Sequence, residues 1–432
     1  MLGSAVLILY MAMVLTVISL PFVAVVLHLW FDLTAPQFAF WNHFGDIGVS
    51  TFSAGIVAVA FCLGYRGKLK LTPISGTLIL FIIWFCITYL DAIAPVAAAH
   101  KFDRAIKSLP LVVLCMVMLT TRRRIELLMW MYLAAICVFG ARAGAVTLVT
   151  GGGYGLDITG NSVGSVMFES STFAVALLTA IPLLFYAYKY SLLLENPQRF
   201  KWLFIVVGML NLIAVVGTYA RSGLVAATAM AITSLFLLPN KFRNGITLGL
   251  CVTAGLLLAP EGWFERMATI NTFNDDASAS GRVAAWKYAW ELASTRVMGG
   301  GFGAFNLHLF AEKASSPDIV RNVESHSWFF EAMGEHGFIG CFLLTFIFAC
   351  SLVSCYKAAF NKQFVNGPEA WRRHLGRAML LSMIGLTIGG LFIGIGSHTF
   401  TYILPAICSG FLSTKISTFD NKSLVNSKLV MK

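Results

Sequence analysis

Residues 324–340 read Glu-Ser-His-Ser-Trp-Phe-Phe-Glu-Ala-Met-Gly-Glu-His-Gly-Phe-Ile-Gly, and they end the longest polar interval of a largely apolar chain. The sequence becomes hydrophobic directly after them, so the segment lies at a predicted membrane boundary. It carries His326 and Glu331, followed by Glu335 and His336. Ionisable residues are costly in hydrocarbon and are usually kept there for function. We therefore expect this polar segment to contain a functional site.

The composition around that segment is that of a helical membrane protein. Of the 432 residues, 58% are hydrophobic and 12% are charged, whereas soluble domains carry about 25% charged residues. Apolar runs near the roughly 20 residues needed to cross a bilayer recur along the whole chain. We therefore predict an all-α polytopic membrane protein with about twelve transmembrane helices and one large polar loop that contains amphipathic helices.

The predicted spans divide the chain into three parts. Residues 1–260 hold transmembrane helices 1–9, residues 261–333 form the polar loop, and residues 334–432 hold helices 10–12 and a tail. The candidate spans lie at about residues 4–30, 47–65, 72–92, 105–121, 125–147, 171–189, 201–219, 222–239, 244–260, 334–356, 376–396 and 399–415.

The lysine and arginine residues predict how these spans are oriented. If both termini are cytoplasmic, 20 of the 31 basic residues fall in cytoplasmic loops, where they meet only four acidic residues. Cytoplasmic loops carry such an excess of basic residues. The same assignment places the loop at 261–333 on the periplasmic side. The net charge of +11 then reflects topology and contact with anionic membrane lipids, so we expect no nucleic-acid partner.

Several basic residues lie on the predicted outer side of the membrane, where the charge rule does not expect them. Arg142 lies inside the fifth predicted span, Arg221 lies between two apolar spans, and Lys107 opens the fourth span. Arg282 begins a predicted amphipathic helix over residues 281–297. Arginine binds phosphate oxygens in a bidentate way, so a polar cavity lined by these side chains suits a phosphate-bearing lipid. For Arg142 and Lys107 the alternative is an ion pair with a nearby carboxylate.

The polar loop is expected to be structured rather than extended. In the helix over residues 281–297, Arg282, Trp286 and Trp290 share one stripe, a pattern typical of a helix that lies in the membrane interface. Ser325 is expected to cap the helix that follows. None of the nine cysteines lies in the loop, and Asp275 and Asp276 form the only adjacent pair of carboxylates in the sequence. We therefore expect neither a metal site nor another cofactor.

Four features resemble the O-antigen ligase and Wzy-type polymerase superfamily. Residues 218–223, Thr-Tyr-Ala-Arg-Ser-Gly, are similar to a T-x-S-R-G turn with Ala220 in the serine position. Residues 280–286, with the glycine-rich 299–303, are similar to S-x-R-x-x-x-W … G-x-G. Residues 325–340 are similar to H-N-x-(L/F)-x-x-x-x-x-E-x-G-x-x-G, with Ser327 in the asparagine position. The fourth feature is the topology, with one large outer loop before the tenth span.

The resemblance covers about residues 160–345 and implies a GT-C-like fold in the bacterial inner membrane. It implies an O-antigen ligase, which transfers a glycan from undecaprenyl pyrophosphate to a sugar hydroxyl of lipid A-core on the periplasmic face. The N-terminal third and residues 142–153 also resemble exosortase-associated O-glycosylation ligases, which leaves the acceptor open. A Wzy-type polymerase or a protein O-oligosaccharyltransferase would use the same chemistry. A transporter of the lipid-linked glycan is the alternative from a different class.

The polar segment and the arginines predict a division of roles. His326 is the expected general base, because an imidazole titrates near neutral pH and can take the proton of an attacking hydroxyl. Arg221 and Arg282 are expected to hold the pyrophosphate, with Arg142 and Lys107 as secondary contacts. Without a second catalytic carboxylate to act as nucleophile, the predicted reaction is a direct, inverting and metal-independent displacement. The residues expected to support the base are His336, Glu335 and Trp286.

Overall fold

A computed structural model of the protein describes residues 20–35, 49–153, 169–237, 259–268, 277–305 and 324–414, with isolated helical positions at 15, 241, 245, 246 and 249. Within these residues the regular structure is entirely helical. In chain order the α-helices there are α1 (Pro21–Thr34), α2 (Val49–Gly64), α3 (Pro73–Leu90), α4 (Pro95–Met118), α5 (Arg122–Thr150), α6 (Ser170–Tyr190), α7 (Lys201–Gly217), α8 (Arg221–Leu237), α9 (Glu261–Ala268), α10 (Ala277–Thr295), α11 (Trp328–Phe360), α12 (Ala370–Gly390) and α13 (Thr399–Ser413).

The prediction of an all-α polytopic membrane protein is confirmed. In the described part of the chain, α3, α5, α6, α11 and the unit Pro197–Gly217 that includes α7 are long and apolar enough to cross a membrane. Predicted spans coincide with helices, for example 171–189 with α6 and 399–415 with α13. Much of the first predicted span, 4–30, and most of the ninth, 244–260, lie outside the described residues.

The starts of several helices are fixed by local sequence. Proline occupies the first turn of α1, α3 and α4, where its missing N–H costs no helical hydrogen bond. At the start of α3, Thr72 and Ser75 form a reciprocal capping box, and Thr121 accepts a hydrogen bond from the backbone of Arg124 at the start of α5. Each such cap stabilises its helix by about 1 kcal/mol.

Helix α11 begins at Trp328, six residues before the predicted span at 334–356, so the polar motif is itself helical. Its cap is Ser327, whose hydroxyl accepts from the backbone N–H of Phe330 at 3.5 Å. The prediction that Ser325 caps this helix is wrong, because the Ser325 hydroxyl instead donates to the carbonyl of Ser327 at 3.3 Å. Serine and asparagine are both good N-caps, so Ser327 retains a capping function that an asparagine could supply.

A kink divides α11 at Gly337, where φ is 66° and ψ is −172°. This conformation is open to glycine and strained for other residues. A Cβ at Gly337 would collide with the carbonyl oxygen of Val297, two residues after α10. The glycine-rich turn after α10 packs closely on the same place, since the backbone N–H of Gly300 donates to the carbonyl of Gly334 at 2.8 Å. The close contact between the glycine-rich turn and the glycines of α11 therefore holds α10 against the start of α11.

The tryptophan stripe of α10 packs on α11 rather than facing only lipid. The Trp286 ring stacks on Phe330 with centroids 4.8 Å apart, and Trp290 meets Phe338 edge-on at 5.3 Å. A helix was predicted at residues 281–297 and is found at Ala277–Thr295. The interfacial role given to the stripe was incomplete, because the stripe also contacts α11. Aromatic burial between two helices is favourable and specific, so α10 is a structural neighbour of the polar motif.

Basic side chains at one end of the bundle cap the carbonyl ends of helices. Lys70 donates to the carbonyls of Leu412 and Ser413 at 3.2 and 2.9 Å. Arg122 donates to the carbonyl of Tyr190 at 2.6 Å. Cations are stabilising at helix C-termini because the macrodipole is negative there. This end holds residues that the charge rule assigns to cytoplasmic loops.

Candidate functional site

The site lies at the other end of the bundle, where Gly389 and Gly390 close α12. A Cβ on Gly389 would lie 2.6 Å from Val175 of α6 and 2.9 Å from Ala226 of α8. A Cβ on Gly390 would lie 2.7 Å from Trp328, the first residue of α11. Val175 and Ala226 lie five residues into their helices. The N-termini of α6, α8 and α11 therefore meet at one place, because these glycines allow close approach.

His326 sits at this convergence, two residues before α11. Its backbone is left-handed, with φ of 42°, a conformation that costs a non-glycine residue about 1–3 kcal/mol. Neighbours hold it on both sides: the Trp286 indole donates to the carbonyl of Ser325 at 2.9 Å, and Ser327 caps α11. Strained backbone that is held in this way is typical of functional sites. Trp286 thus contacts the segment that it was predicted to support.

The environment of His326 keeps its ring neutral. Burial lowers the pKa of His326 below its ordinary 6.5, and the guanidinium charge of Arg282 lowers it further. The carboxylates of Glu324, Glu169 and Glu331 act in the opposite direction without restoring the pKa. A neutral imidazole has a lone pair that can accept a proton at pH 7. The same interactions show that Arg282 of α10 and Glu169, which caps α6, lie near the ring.

Arg221 is the first residue of α8 and is half-buried. Its helix packs beside the first turns of α6, since a Cβ on Gly223 would lie 2.9 Å from Ala174. Glu169, one residue before α6, acts electrostatically on His326. The structure therefore brings Arg221, Arg282 and His326 to the same end of the bundle, as predicted from the sequence.

The turn before Arg221 shares the backbone strain seen at His326. Tyr219 has φ of 52°, and its hydroxyl donates to the carbonyl of Gly151 at 3.3 Å. Among the described residues, three non-glycine residues have a positive φ, and two of them, Tyr219 and His326, belong to the motifs that the sequence singled out. Both motifs thus use an unfavourable backbone conformation next to a predicted functional side chain.

The two predicted secondary phosphate contacts lie in different settings. Arg142 is on the exposed face of α5, eight residues before the helix ends. Lys107 forms a surface ion pair with Asp103, 2.7 Å from Nζ to Oδ2, one turn earlier on α4. This pair is the alternative that the sequence offered for Lys107. A role for Arg142 or Lys107 in binding phosphate stays a prediction.

A buried charge cluster beside His326 was not anticipated. The ammonium of Lys101 lies 2.9 Å from Glu335 Oε1 and 3.3 Å from Glu331 Oε1. Glu335 also accepts the backbone N–H of Gly303, and Glu331 that of Gly396, each at 2.8 Å. The cluster therefore ties α4, the glycine-rich turn and the segment after α12 to the start of α11. The sequence signal for this cluster is the pair Glu331 and Glu335, which lie four residues apart on one face of a helix. Two carboxylates buried side by side require a cation between them.

His336 is a packing residue between α3 and α11. It is buried, its Nδ1 shares a hydrogen bond with the Thr88 hydroxyl at 2.8 Å, and its carbonyl accepts from the Trp84 indole at 2.8 Å. The rings of Phe85 and Phe302 lie 4.2 and 4.6 Å from it. Its predicted support of the base can therefore be exerted only through the position of α11.

The chemistry available at this end is proton acceptance beside positive charge. His326 supplies the lone pair, and Arg282 with Arg221 supplies guanidinium groups. The N-termini of α6, α8 and α11 add the positive ends of three macrodipoles, which favour anions. Across the described residues, no group of three or more His, Cys, Asp or Glu side chains is placed to hold a metal ion. These groups suit a reaction between an anionic substrate and a hydroxyl group that loses its proton.

Comparison with protein families gives two matches. Residues 204–345 match the family described as O-antigen ligase, an interval that contains Arg221, Arg282, His326 and Glu335. Residues 1–192 match a family of unknown function, DUF5935. No curated protein matches the chain.

Proposed function

We propose that the chain is a member of the O-antigen ligase and polymerase superfamily, because residues 204–345 match the family described as O-antigen ligase. This match and the long apolar helices support glycosyl transfer of the ligase or polymerase type by a multi-pass membrane enzyme. The donor we propose is a glycan on undecaprenyl pyrophosphate, and the acceptor is a sugar hydroxyl of lipid A-core on the periplasmic face of the inner membrane. The observation that carries the proposal is the position of His326 beside Arg282 where three helices begin.

The reaction is a single displacement at the anomeric carbon. His326 accepts the proton of the acceptor hydroxyl as its oxygen bonds to that carbon. The bond between the anomeric carbon and the diphosphate oxygen breaks, and its electron pair leaves with the diphosphate. Attack from the face opposite the leaving group inverts the configuration. The reaction yields glycosylated acceptor, undecaprenyl pyrophosphate and a proton on His326, which later passes to solvent.

The arginines stabilise the leaving group in this scheme. The diphosphate gains negative charge as the glycosidic bond breaks, and fixed donors aimed at developing charge are the largest usual contribution to catalysis. Arg282 and Arg221 would grip the diphosphate oxygens, with the helix N-termini adding to the field. Their positive charge would take the place of a divalent cation. EDTA is therefore expected to leave the rate unchanged.

The surrounding groups hold the base in position. Trp286 fixes the peptide before His326, and the cluster of Lys101, Glu331 and Glu335 fixes the first turns of α11. Such supporting contacts matter because a displacement of about 1 Å in a reacting group can cost about 100-fold in rate. We assign these residues a positioning role.

The experiment that tests the function is a product analysis with purified protein. Lipid-linked donor is supplied with lipid A-core, with a second lipid-linked repeat, or with a serine- or threonine-bearing peptide, and the products are identified by mass spectrometry. A lipid A-core glycan is the expected product. If the product is instead a polymer or a glycopeptide, the proposed chemistry stands and the acceptor is a second lipid-linked repeat or a protein. Movement of donor across a vesicle membrane without a new bond would instead identify a transporter.

The pH dependence of transfer follows from the state of His326. The base works in its neutral form, and its pKa lies below 6.5. We expect the rate to fall as the pH drops through the lowered pKa and to level off at pH values well above it. Glu324→Gln removes a charge that raises this pKa, so the acid limb should move to lower pH. A pH–rate profile of both proteins checks this; a limb above pH 6.5 in the wild type would contradict it.

Replacement of Lys101 by methionine is expected to destabilise the protein. Removing one partner of a buried ion pair costs about 3–5 kcal/mol, and the partial exposure of Lys101 reduces this to about 2 kcal/mol. Thermal unfolding in detergent measures the change, with Lys287→Met, an exposed lysine of α10, as the control. The double variant Lys101→Met/Glu335→Gln should recover part of the loss, because one unpaired carboxylate is removed. If Lys101→Met and Lys287→Met unfolded at the same temperature, Lys101 would have no role in stabilising the fold.

A further inference from the structure

A second charged site lies at the opposite end of the bundle from His326. Helix α12 runs from Ala370 to Gly390, and Gly390 contacts Trp328 next to His326. Arg373, near the start of α12, is 17 residues from Gly390, which corresponds to about 25 Å along the helix. The groups around Arg373 are therefore independent of the proposed transfer site.

Four cations at this end have hydrogen-bond or ion-pair partners in the protein. Lys70 and Arg122 bind helix carbonyls, and Arg122 also pairs with buried Glu126 at 2.7 Å. Arg124 donates to the carbonyl of Met118 at 2.8 Å, and Arg372 pairs with Glu369. These side chains stabilise helix ends, so they are not available to a ligand.

Three further cations at this end are Lys189 at the end of α6, and Arg373 and Arg377 one turn apart on α12. All three act electrostatically on the ring of His374, which stacks on Tyr190 with centroids 3.8 Å apart and planes 8° from parallel. None of the three forms an ion pair with a carboxylate in the described part of the chain. The Nε atoms of Arg373 and Arg377 are buried there without a hydrogen-bond partner.

This arrangement is unfavourable in the protein alone. Like charges near a membrane surface repel, and a buried guanidinium N–H without an acceptor loses its hydration without compensation. One anion placed among the three cations would remove both costs. Arginine forks match the oxygens of a phosphate group, and Lys189 adds a flexible point charge.

We propose that Lys189, Arg373 and Arg377 bind the phosphate of an anionic phospholipid headgroup, with the stacked Tyr190 and His374 as the floor of the site. A lipid is favoured over free phosphate because of the neighbouring surface. Phe185 lies one turn before Lys189 on α6, its ring centroid is 5.8 Å from Nζ, and it is 60% exposed. It therefore offers an apolar surface for an acyl chain directly beside the cations. Basic pockets between transmembrane helices are known to bind such headgroups.

The test is lipid titration of the purified full-length protein in neutral detergent. Binding of phosphatidylglycerol and of phosphatidylcholine is followed by native mass spectrometry and by thermal unfolding. Phosphatidylglycerol is expected to bind and to raise the unfolding temperature. In Arg373→Gln/Arg377→Gln the affinity should be about tenfold weaker, and it should weaken further with salt.

A matched control separates this site from general surface charge. Lys68→Gln/Arg123→Gln removes the same charge from exposed positions at the same end and should bind phosphatidylglycerol as the wild type does. Should the first double variant fail to fold, Lys189→Gln, at an exposed position, should still weaken binding. The proposal is overturned by equal loss in the control pair, by unchanged binding in the Arg373/Arg377 variant, or by equally strong competition from inorganic phosphate.

Discussion

Replacement of His326 by alanine is expected to lower kcat for glycan transfer about 100- to 10,000-fold, the usual contribution of a positioned general base. The affinity for the lipid-linked donor should stay the same, because the arginines that hold the diphosphate are untouched. The ring is well suited to the role, since burial and Arg282 keep its pKa below 6.5. Transfer is measured with purified enzyme by mass spectrometry, and donor binding is measured separately.

The matched control for this variant is His100→Ala. His100 is an exposed histidine of α4, so its loss should leave both kcat and donor affinity unchanged. If the His326→Ala enzyme transferred glycan at the wild-type rate, the imidazole would have no place in the reaction. If it lost donor binding as well, His326 would be a binding residue instead.

Replacement of Arg282 by glutamine is expected to lower kcat/KM about 100- to 1,000-fold, because a donor that stabilises the leaving diphosphate is lost. Arg282→Lys should recover only part of the activity, since a lysine is a point charge without the guanidinium fork. A second effect follows from the position of Arg282 next to His326. Without its charge, the pKa of His326 rises, so the acid limb of the residual activity should move to higher pH.

Lys287→Gln is the control for Arg282→Gln, because it removes a positive charge from an exposed position on the same helix, α10. It should leave kcat/KM and the pH profile unchanged. Arg221→Gln should resemble Arg282→Gln in rate, because both arginines are assigned to the diphosphate. If the Arg282→Gln enzyme had an unaltered kcat/KM, Arg282 would not stabilise the transition state.

The sequence predicted a helical polytopic membrane protein correctly because bilayer thickness sets a length that hydropathy reveals. It also placed Arg221, Arg282 and His326 together, since the motifs that carry them share one predicted side of the membrane. It could not reveal the left-handed backbone of Tyr219 and His326, which depends on contacts made by the folded chain. The helix start was predicted two residues early, because Ser325 was expected to be the cap and Ser327 takes that role.

The pairing of Lys101 with Glu331 and Glu335 shows a second limit. The partners are separated by more than 200 residues, and no periodicity in one sequence reports a contact over that distance. Only the helix spacing of the two glutamates was visible. Similarly, His336 was predicted only as a residue that supports the base, and its packing against Phe85 and Phe302 depends on the folded chain.

The break in α11 at Gly337 has a consequence for how the enzyme tolerates different lipid environments. The 23 residues after it, 338–360, form a rod of about 34 Å, slightly longer than the roughly 30 Å hydrocarbon thickness that such a helix must match by tilting. Because the helix is broken at Gly337, we expect a change in the tilt of this rod to be absorbed at the break, while Lys101 and the glycine-rich turn hold the preceding turns. The transfer rate of the reconstituted enzyme is therefore expected to depend only weakly on bilayer thickness.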